Sequence, residues 1–272
     1  TLEKGMSMRN PRKGFGQEKA INLINRLHKY IDLYGEKDMK FLDYPLRTIK
    51  GYINYTKENG IDIPQIENNF AFLLKRAGKN IVETKDAIIS VSSNDIQKEA
   101  ETNFESLLYS RHSIRYFSND IVDNELIEKA LKLAQRTPSA CNRQGWLTHC
   151  FFGKNSIELI KWQGGSRGFE DEIKCCILVT ANLKAFLEYE IHQAYIDGGL
   201  YAMNLINALH ALGLGTIPLS CGFTFKKIKT LKEFGIPENE IPILIIGIGH
   251  MLPKFNVALS ERKDISLTNT FH

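Results

Sequence analysis

Two guanidiniums and a hydroxyl stand at alternate positions in Arg111-His112-Ser113-Ile114-Arg115. In extended backbone, positions i, i+2 and i+4 share one face. Arg111, Ser113 and Arg115 can therefore converge on one anion while Ile114 and Tyr116 turn towards a core. An arginine fork matches phosphate oxygens bidentately, and charge-assisted bonds of this kind are about twice as strong as neutral ones. The chemistry suggested is the holding of a phosphomonoester. Taken alone, the same pattern also fits a solvated strand face.

A second cluster, Thr137-Pro138-Ser139-Ala140-Cys141-Asn142-Arg143-Gln144-Gly145-Trp146, follows a helical run over residues 123–136. Arg-x-Ser-x-Arg, then an amphipathic helix, then Pro-Ser-x-x-Asn-x-Gln-x-Trp resembles the FMN-dependent nitroreductase family in order and spacing. Gly213-Leu214-Gly215-Thr216-Ile217-Pro218 resembles the family's segment that passes the flavin ring. Ser260-Glu261-Arg262-Lys263 resembles its C-terminal basic site near the FMN phosphate. The resemblance covers residues 103–272 and leaves the first hundred unexplained.

That resemblance implies an α+β fold, with a mixed central sheet wrapped by helices, in an intertwined homodimer that shares two FMN sites. It places Arg111, Ser113 and their neighbour His112 at the phosphate, with Arg262 closing from the far end of the chain. Arg115 is implied at the N1 and O2 edge of the ring, where negative charge collects on reduction. Asn142 is implied at the ring or ribityl chain, with Gln144 nearby, and Pro138, Ser139 and Ala140 approach the ring from the partner subunit. The backbone of Pro218, Leu219 and Ser220 is implied near N5 and O4. Some relatives carry Glu-Gly after the proline and apolar residue, whereas this chain has Ser220-Cys221-Gly222. The implied activity is ping-pong: NAD(P)H reduces the flavin, and an electron-poor acceptor such as a nitroaromatic or quinone takes the electrons. No side chain stands out as a proton donor. Two alternatives stay open: an FMN enzyme acting on a specific biosynthetic intermediate, and a non-catalytic binding protein with a vestigial flavin site.

The remaining composition narrows the setting. Of 272 residues, 43% are hydrophobic and 24% charged, as in ordinary soluble domains. No run approaches the length of a membrane span, and the first residues lack the apolar core of a secretory leader. Five cysteines without a CxxC pair suggest reduced thiols and a cytoplasmic enzyme. Cys141 reads as a small buried thiol. The scattered histidines give no metal site. No G-x-G-x-x-G opens a helix after a strand, so a dedicated nicotinamide domain is not indicated. The first hundred residues carry 17 Lys+Arg against 13 Asp+Glu, and the rest is balanced. The basic excess lies at Lys4, Arg9, Arg12, Lys13 and Lys19 among glycines, which reads as a flexible, solvated lead-in. It has no stacking aromatics that would mark a nucleic-acid surface.

Elements must position the two clusters. Residues 17–34 repeat apolar positions at three and four and form one helix. Residues 45–57 form another between Pro45 and Asn59-Gly60, and a third runs from Pro64 to Gly78. These make residues 1–100 a helical extension, expected to pack on the flavin-binding body, residues 101–272, or on its dimer mate. A connector over residues 89–102 breaks the pattern. Asp123 caps the next helix. Residues 147–152, 175–181 and 242–247 have strand length, and residues 189–212 form a long helix. Its Asp197-Gly198-Gly199 costs helix propensity, by about 1 kcal/mol per glycine. Either close approach at a dimer interface or a kink would account for it. Trp146 reads as core, and residues 163–170, rich in glycine, as a candidate mobile loop.

Overall fold

The computed structural model describes residues 2–34, 42–78, 88–190 and 192–272. The chain divides into two compact units: Thr1–Ser90 with Asn256–His272, and Val91–Phe255. This partition departs from a division at residue 100, because the last residues return to the first unit.

The first unit is helical and supplies its own core. Helix α1 (Leu2–Met6) and α2 (Gln17–Tyr34) bury Leu2, Met6, Ala20, Ile24 and Leu27. Helix α3 (Asp43–Glu58) adds Leu46, Ile49 and Tyr52 to the same cluster. Helix α4 (Pro64–Ala77) opens on Pro64, whose fixed φ suits a first turn, and closes on Gly78 in the left-handed region, φ 59°. Its Ile66, Phe70 and Leu73 complete the cluster. The three stripes therefore bury themselves largely on one another. The basic leader is folded in rather than flexible: a Cβ on Gly5 would lie 2.0 Å from the Phe15 ring, and the Tyr52 hydroxyl donates to the Phe15 carbonyl at 2.5 Å. The C-terminal segment joins this unit through Glu261, which pairs with Arg47 at 2.9 Å.

The second unit begins where residues 89–102, read as a connector, instead form β1 (Ile88–Ser92) and α5 (Ser93–Ala100). Helix α6 (Phe104–Ser110) and α7 (Asn124–Ala134) follow, the latter capped by Asp123, whose carboxylate accepts from the Glu125 amide at 2.9 Å. Strand β2 (Trp146–Phe152), α8 (Gly153–Gln163), β3 (Cys175–Asn182), α9 (Gln193–Ala211) and β4 (Leu214–Ser220) come next. After the short α10 (Phe225–Ile228), β5 (Glu240–His250) completes a sheet of order β2-β3-β5-β4. Strand β6 (Lys254–Ala258) pairs with β1 in a separate ribbon.

The four-stranded sheet pairs antiparallel throughout, and its parallel component is a bridge from Ser113 to Thr216. Strand β3 is buried on both faces, so it reads as a continuous apolar run. Cys175, Ile177 and Val179 meet α7 and α9 in one core. Cys176 is fully buried, and Ser156 of α8 donates to the Ile173 carbonyl at 2.8 Å.

Two glycine positions explain how α9 and the basic segment lie so close to the sheet. A Cβ on Gly198 would stand 2.6 Å from Ile243 Cγ1 on β5, so the helix can sit against the sheet only with no side chain there. Gly199 faces open space, and α9 runs through the pair unbroken. The second position is Gly249 on β5, where a Cβ would meet the Phe117 ring at 2.5 Å.

Candidate active site

The Arg111 segment is extended and lies along β4. Arg111, the C-cap of α6, has φ −74° and ψ 120°. The Ile114 amide donates to the Thr216 carbonyl at 2.9 Å, and the Ser118 amide donates to the His250 carbonyl at 2.9 Å. Ile114 and Tyr116 are buried, whereas Arg111, His112, Ser113 and Arg115 are half-buried. The alternation read from the sequence is thus present. Ile114 and Phe117 seat on Gly215 and Gly249, which fixes the register and the face that the cations take.

Arg115 is the informative member. Its Nε is buried with no hydrogen-bond partner, and its Nη1 reaches only the Ser113 carbonyl at 3.5 Å. Burial holds its pKa below the ordinary arginine value. A guanidinium nitrogen buried without an acceptor calls for an external one. Thr216 Oγ1, on the residue bridged to Ser113, is likewise buried and unpaired. These orphaned groups fit the edge of an electron-rich, anionic cofactor.

Beside Arg111, His210 of α9 is buried and hydrogen-bonded to Ser110 Oγ at 2.9 Å. Burial, then the charges of Arg111 and His112, lower its pKa from 6.5 to about 4. The folded chain therefore keeps the ring neutral where the unfolded chain protonates it. Stability on this account is full above pH 6.5 and falls as the pH drops to about 4, by at most about 3 kcal/mol at 1.36 kcal/mol per pKa unit. Urea midpoints between pH 4 and 7 should show this slope, and His210→Gln should flatten it; equal slopes would place the acid sensitivity elsewhere.

The second cluster forms a loop tethered to α9 and to the segment after β3. The Ala140 amide donates to both carboxylate oxygens of Asp197, at 3.4 and 3.2 Å, and Gln193 Nε2 donates to Asp197 at 2.7 Å. Arg143 grips Glu190 bidentately at 2.8 and 2.6 Å, which holds that carboxyl below its usual pKa range. The Gln144 amide donates to Ser139 Oγ at 2.9 Å. Cys141, Asn142 and Gln144 all adopt left-handed φ, from 50° to 54°. Three non-glycine residues there store strain of a kind that collects at functional loops. Pro138, Cys141, Asn142 and Gln144 are exposed, and Ser139 and Ala140 half-buried. Cys141 is therefore not a buried thiol. Trp146 is core, stacked on Tyr201 at 4.8 Å between centroids.

On β4, Pro218 is half-buried, Leu219 buried and Ser220 exposed at the strand end. The Ser220 carbonyl accepts from Gln163 Nε2 at 2.9 Å. The glycine-rich stretch after Gln163 is pinned by the buried Gln163, Ser166 and Phe169 rather than loose. Burial pushes the Cys221 thiol up to about 12, so it is inert at neutral pH.

The structure thus brings residues 111–115 against β4, and holds residues 138–144 in a separately anchored loop. Arg262 lies in the helical unit, where its Nη1 donates to the Ser260 carbonyl at 2.6 Å. Asp197 and His210 were not singled out as site-supporting residues. Both are polar residues on the buried face of a long apolar helix, the one signal that could have marked them.

Among solved structures, the fold is that of a nitroreductase family protein from Streptococcus pneumoniae, with TM-score 0.53 and 21% identity over 62% of this chain and all of that one. It is shared with a candidate NAD(P)H:FMN oxidoreductase from Staphylococcus epidermidis, with TM-score 0.54 and 19% identity over 63% of this chain and 96% of that one. A candidate NADH dehydrogenase/NAD(P)H nitroreductase from Archaeoglobus fulgidus is 30% identical over 53% of this chain and 83% of its own length. The model of the nitroreductase family matches residues 108–161 and 155–250, so the chain belongs to that family and is an oxidoreductase in the general sense. No described helix is long and apolar enough to cross a membrane.

Proposed function

We propose that this protein is an FMN-dependent NAD(P)H oxidoreductase whose electron-poor acceptor is a nitroaromatic, quinone or similar molecule. The observation that carries the reading is the buried, unpaired Nε of Arg115, two residues along the chain from Ser113, whose bridge partner Thr216 carries an orphaned hydroxyl. FMN, when bound, supplies hydride acceptance from NAD(P)H and onward reduction of the acceptor. Arg111, His112 and Ser113 hold the phosphate, and Arg115 offers a fixed positive charge to the electron-rich edge of the ring. Asn142, Gln144 and residues 138–140 contribute from the strained loop, and the backbone of residues 218–220 lines the opposite edge. The protein's task is orientation and electrostatics.

The site requires a second copy of the chain. On α9, Tyr195, Ile196, Leu200 and Met203 are each between 42% and 52% exposed and share a face with Gly199, which meets open space. Together with the exposed loop, this supports a homodimer with sites built from both chains.

The visible absorption spectrum of the purified protein, before and after anaerobic addition of NADH or NADPH, tests the reading. A flavin spectrum that bleaches with a nicotinamide is expected. A colourless protein that takes up no added FMN would sink the proposal. Arg115→Leu should lower the flavin potential by tens of millivolts, where about 30 mV equals 1.4 kcal/mol for a two-electron couple. An unchanged potential would remove Arg115 from the ring edge.

A further inference from the structure

The helical unit holds a cavity of about 760 Å³ lined by α2, α3 and the C-terminal segment. That volume lies within the usual range for small-molecule pockets. Its apolar lining is Leu23, Leu27, Tyr30, Pro45 and Leu267. The cations Arg26, Arg47, Arg262 and Lys263 also line it.

None of the three acids that share the cavity, Asp43, Glu261 and Asp264, is without a partner. Glu261 pairs with Arg47 at 2.9 Å. Asp264 accepts from the Ser266 amide at 2.8 Å and from its hydroxyl. No described carboxylate forms an ion pair with Arg26 or Arg262. Arg47 keeps a buried Nε without a hydrogen-bond partner even while its Nη1 holds Glu261. Ser260, which accepts from Arg262 Nη1, is forced to φ 48°, a left-handed value that a serine holds only where surrounding structure imposes it. The strained turn folds Arg262 back on the chain in the wall of the cavity. An apolar pocket with unpaired guanidiniums and an orphaned donor is shaped for a molecule with an apolar body and an anionic head.

We propose that this cavity binds a small organic anion, its carboxylate or phosphate taken by Arg26 and Arg262 and its body laid against Leu23, Leu27 and Tyr30. This site belongs to the helical unit, outside residues 108–250 that match the family model, and it does not rest on the flavin reading. It gives Arg262 a partner other than the FMN phosphate.

Isothermal titration of the full chain, in the presence of excess FMN, with octanoate and with phenyl phosphate as separate probes tests it. One saturable site is expected for at least one probe, and the better probe tells carboxylate from phosphate. Arg26→Ala and Arg262→Ala should each weaken that binding tenfold or more, and Arg26→Lys should restore part of it. Lys29→Ala, an exposed position on α2 that does not line the cavity, should leave it unchanged. Arg26 is itself exposed, so its replacement leaves the core intact, and an unaltered thermal midpoint checks this. Absence of saturable binding with both probes would overturn the proposal. So would affinity indifferent to Arg26, or binding seen only when FMN is left out, which would return Arg262 to the flavin phosphate.

Discussion

Arg111→Ala should weaken FMN retention by about ten- to a hundredfold, the loss of one charge-assisted contact worth about 1.5–3 kcal/mol. The side chain leaves the end of α6 in extended backbone, and its neighbour Ile114 is locked against β4 by a backbone hydrogen bond and the bare Gly215. Removal of the guanidinium therefore costs binding without releasing the strand. The same substitution deletes one of the charges that hold His210 neutral. Equilibrium dialysis of FMN against the wild-type and variant proteins reads the first effect. Unchanged FMN affinity would put the phosphate elsewhere.

Leu200→Glu should convert a dimer to monomers and strip the flavin with it. In a two-fold interface each substitution counts twice. Each leucine has about half its surface left to bury, worth about 0.7–1.5 kcal/mol, so loss of the two raises the dimer dissociation constant at least about tenfold, before the cost of burying the carboxylates is added. Leu200 is 48% exposed in the single chain and lies one turn from Ile196 and Met203. Sedimentation equilibrium measures the outcome directly. A wild-type chain that stays monomeric at micromolar concentration would end the shared-site reading.

What could be read from the sequence was what local physics decides. Pro64 and Gly78 bounded a helix because one fixes φ and the other tolerates the left-handed turn. Residues 111–116 showed their two faces because strand alternation is a property of the backbone. Asp197-Gly198-Gly199 was half legible: the glycines announced a close approach, but Gly198 meets Ile243 of its own sheet, and Gly199 alone faces outwards. The basic leader misled because its charge and glycines describe a solvated segment. The burial of Leu2 and Met6 depends on helices whose arrangement no local pattern records. Cys141 looked like a core thiol by residue type, yet its loop follows a left-handed path that anchors at Ala140 and Arg143 impose. Arg262 could be placed only by resemblance, because nothing near it in sequence shows which distant helices it joins.

The order of the two units along the chain decides what a truncation removes. The family-matching body is threaded into the helical one as an insertion, with residues 1–90 before it and residues 256–272 after it. A shortened chain ending at residue 255 would keep the body whole yet take Glu261 from Arg47 and one wall from the cavity. A chain starting at residue 91 would strand the tail with no helices to receive it. The helical unit is therefore assembled from two segments distant in sequence, and a cut on either side of the body removes part of it.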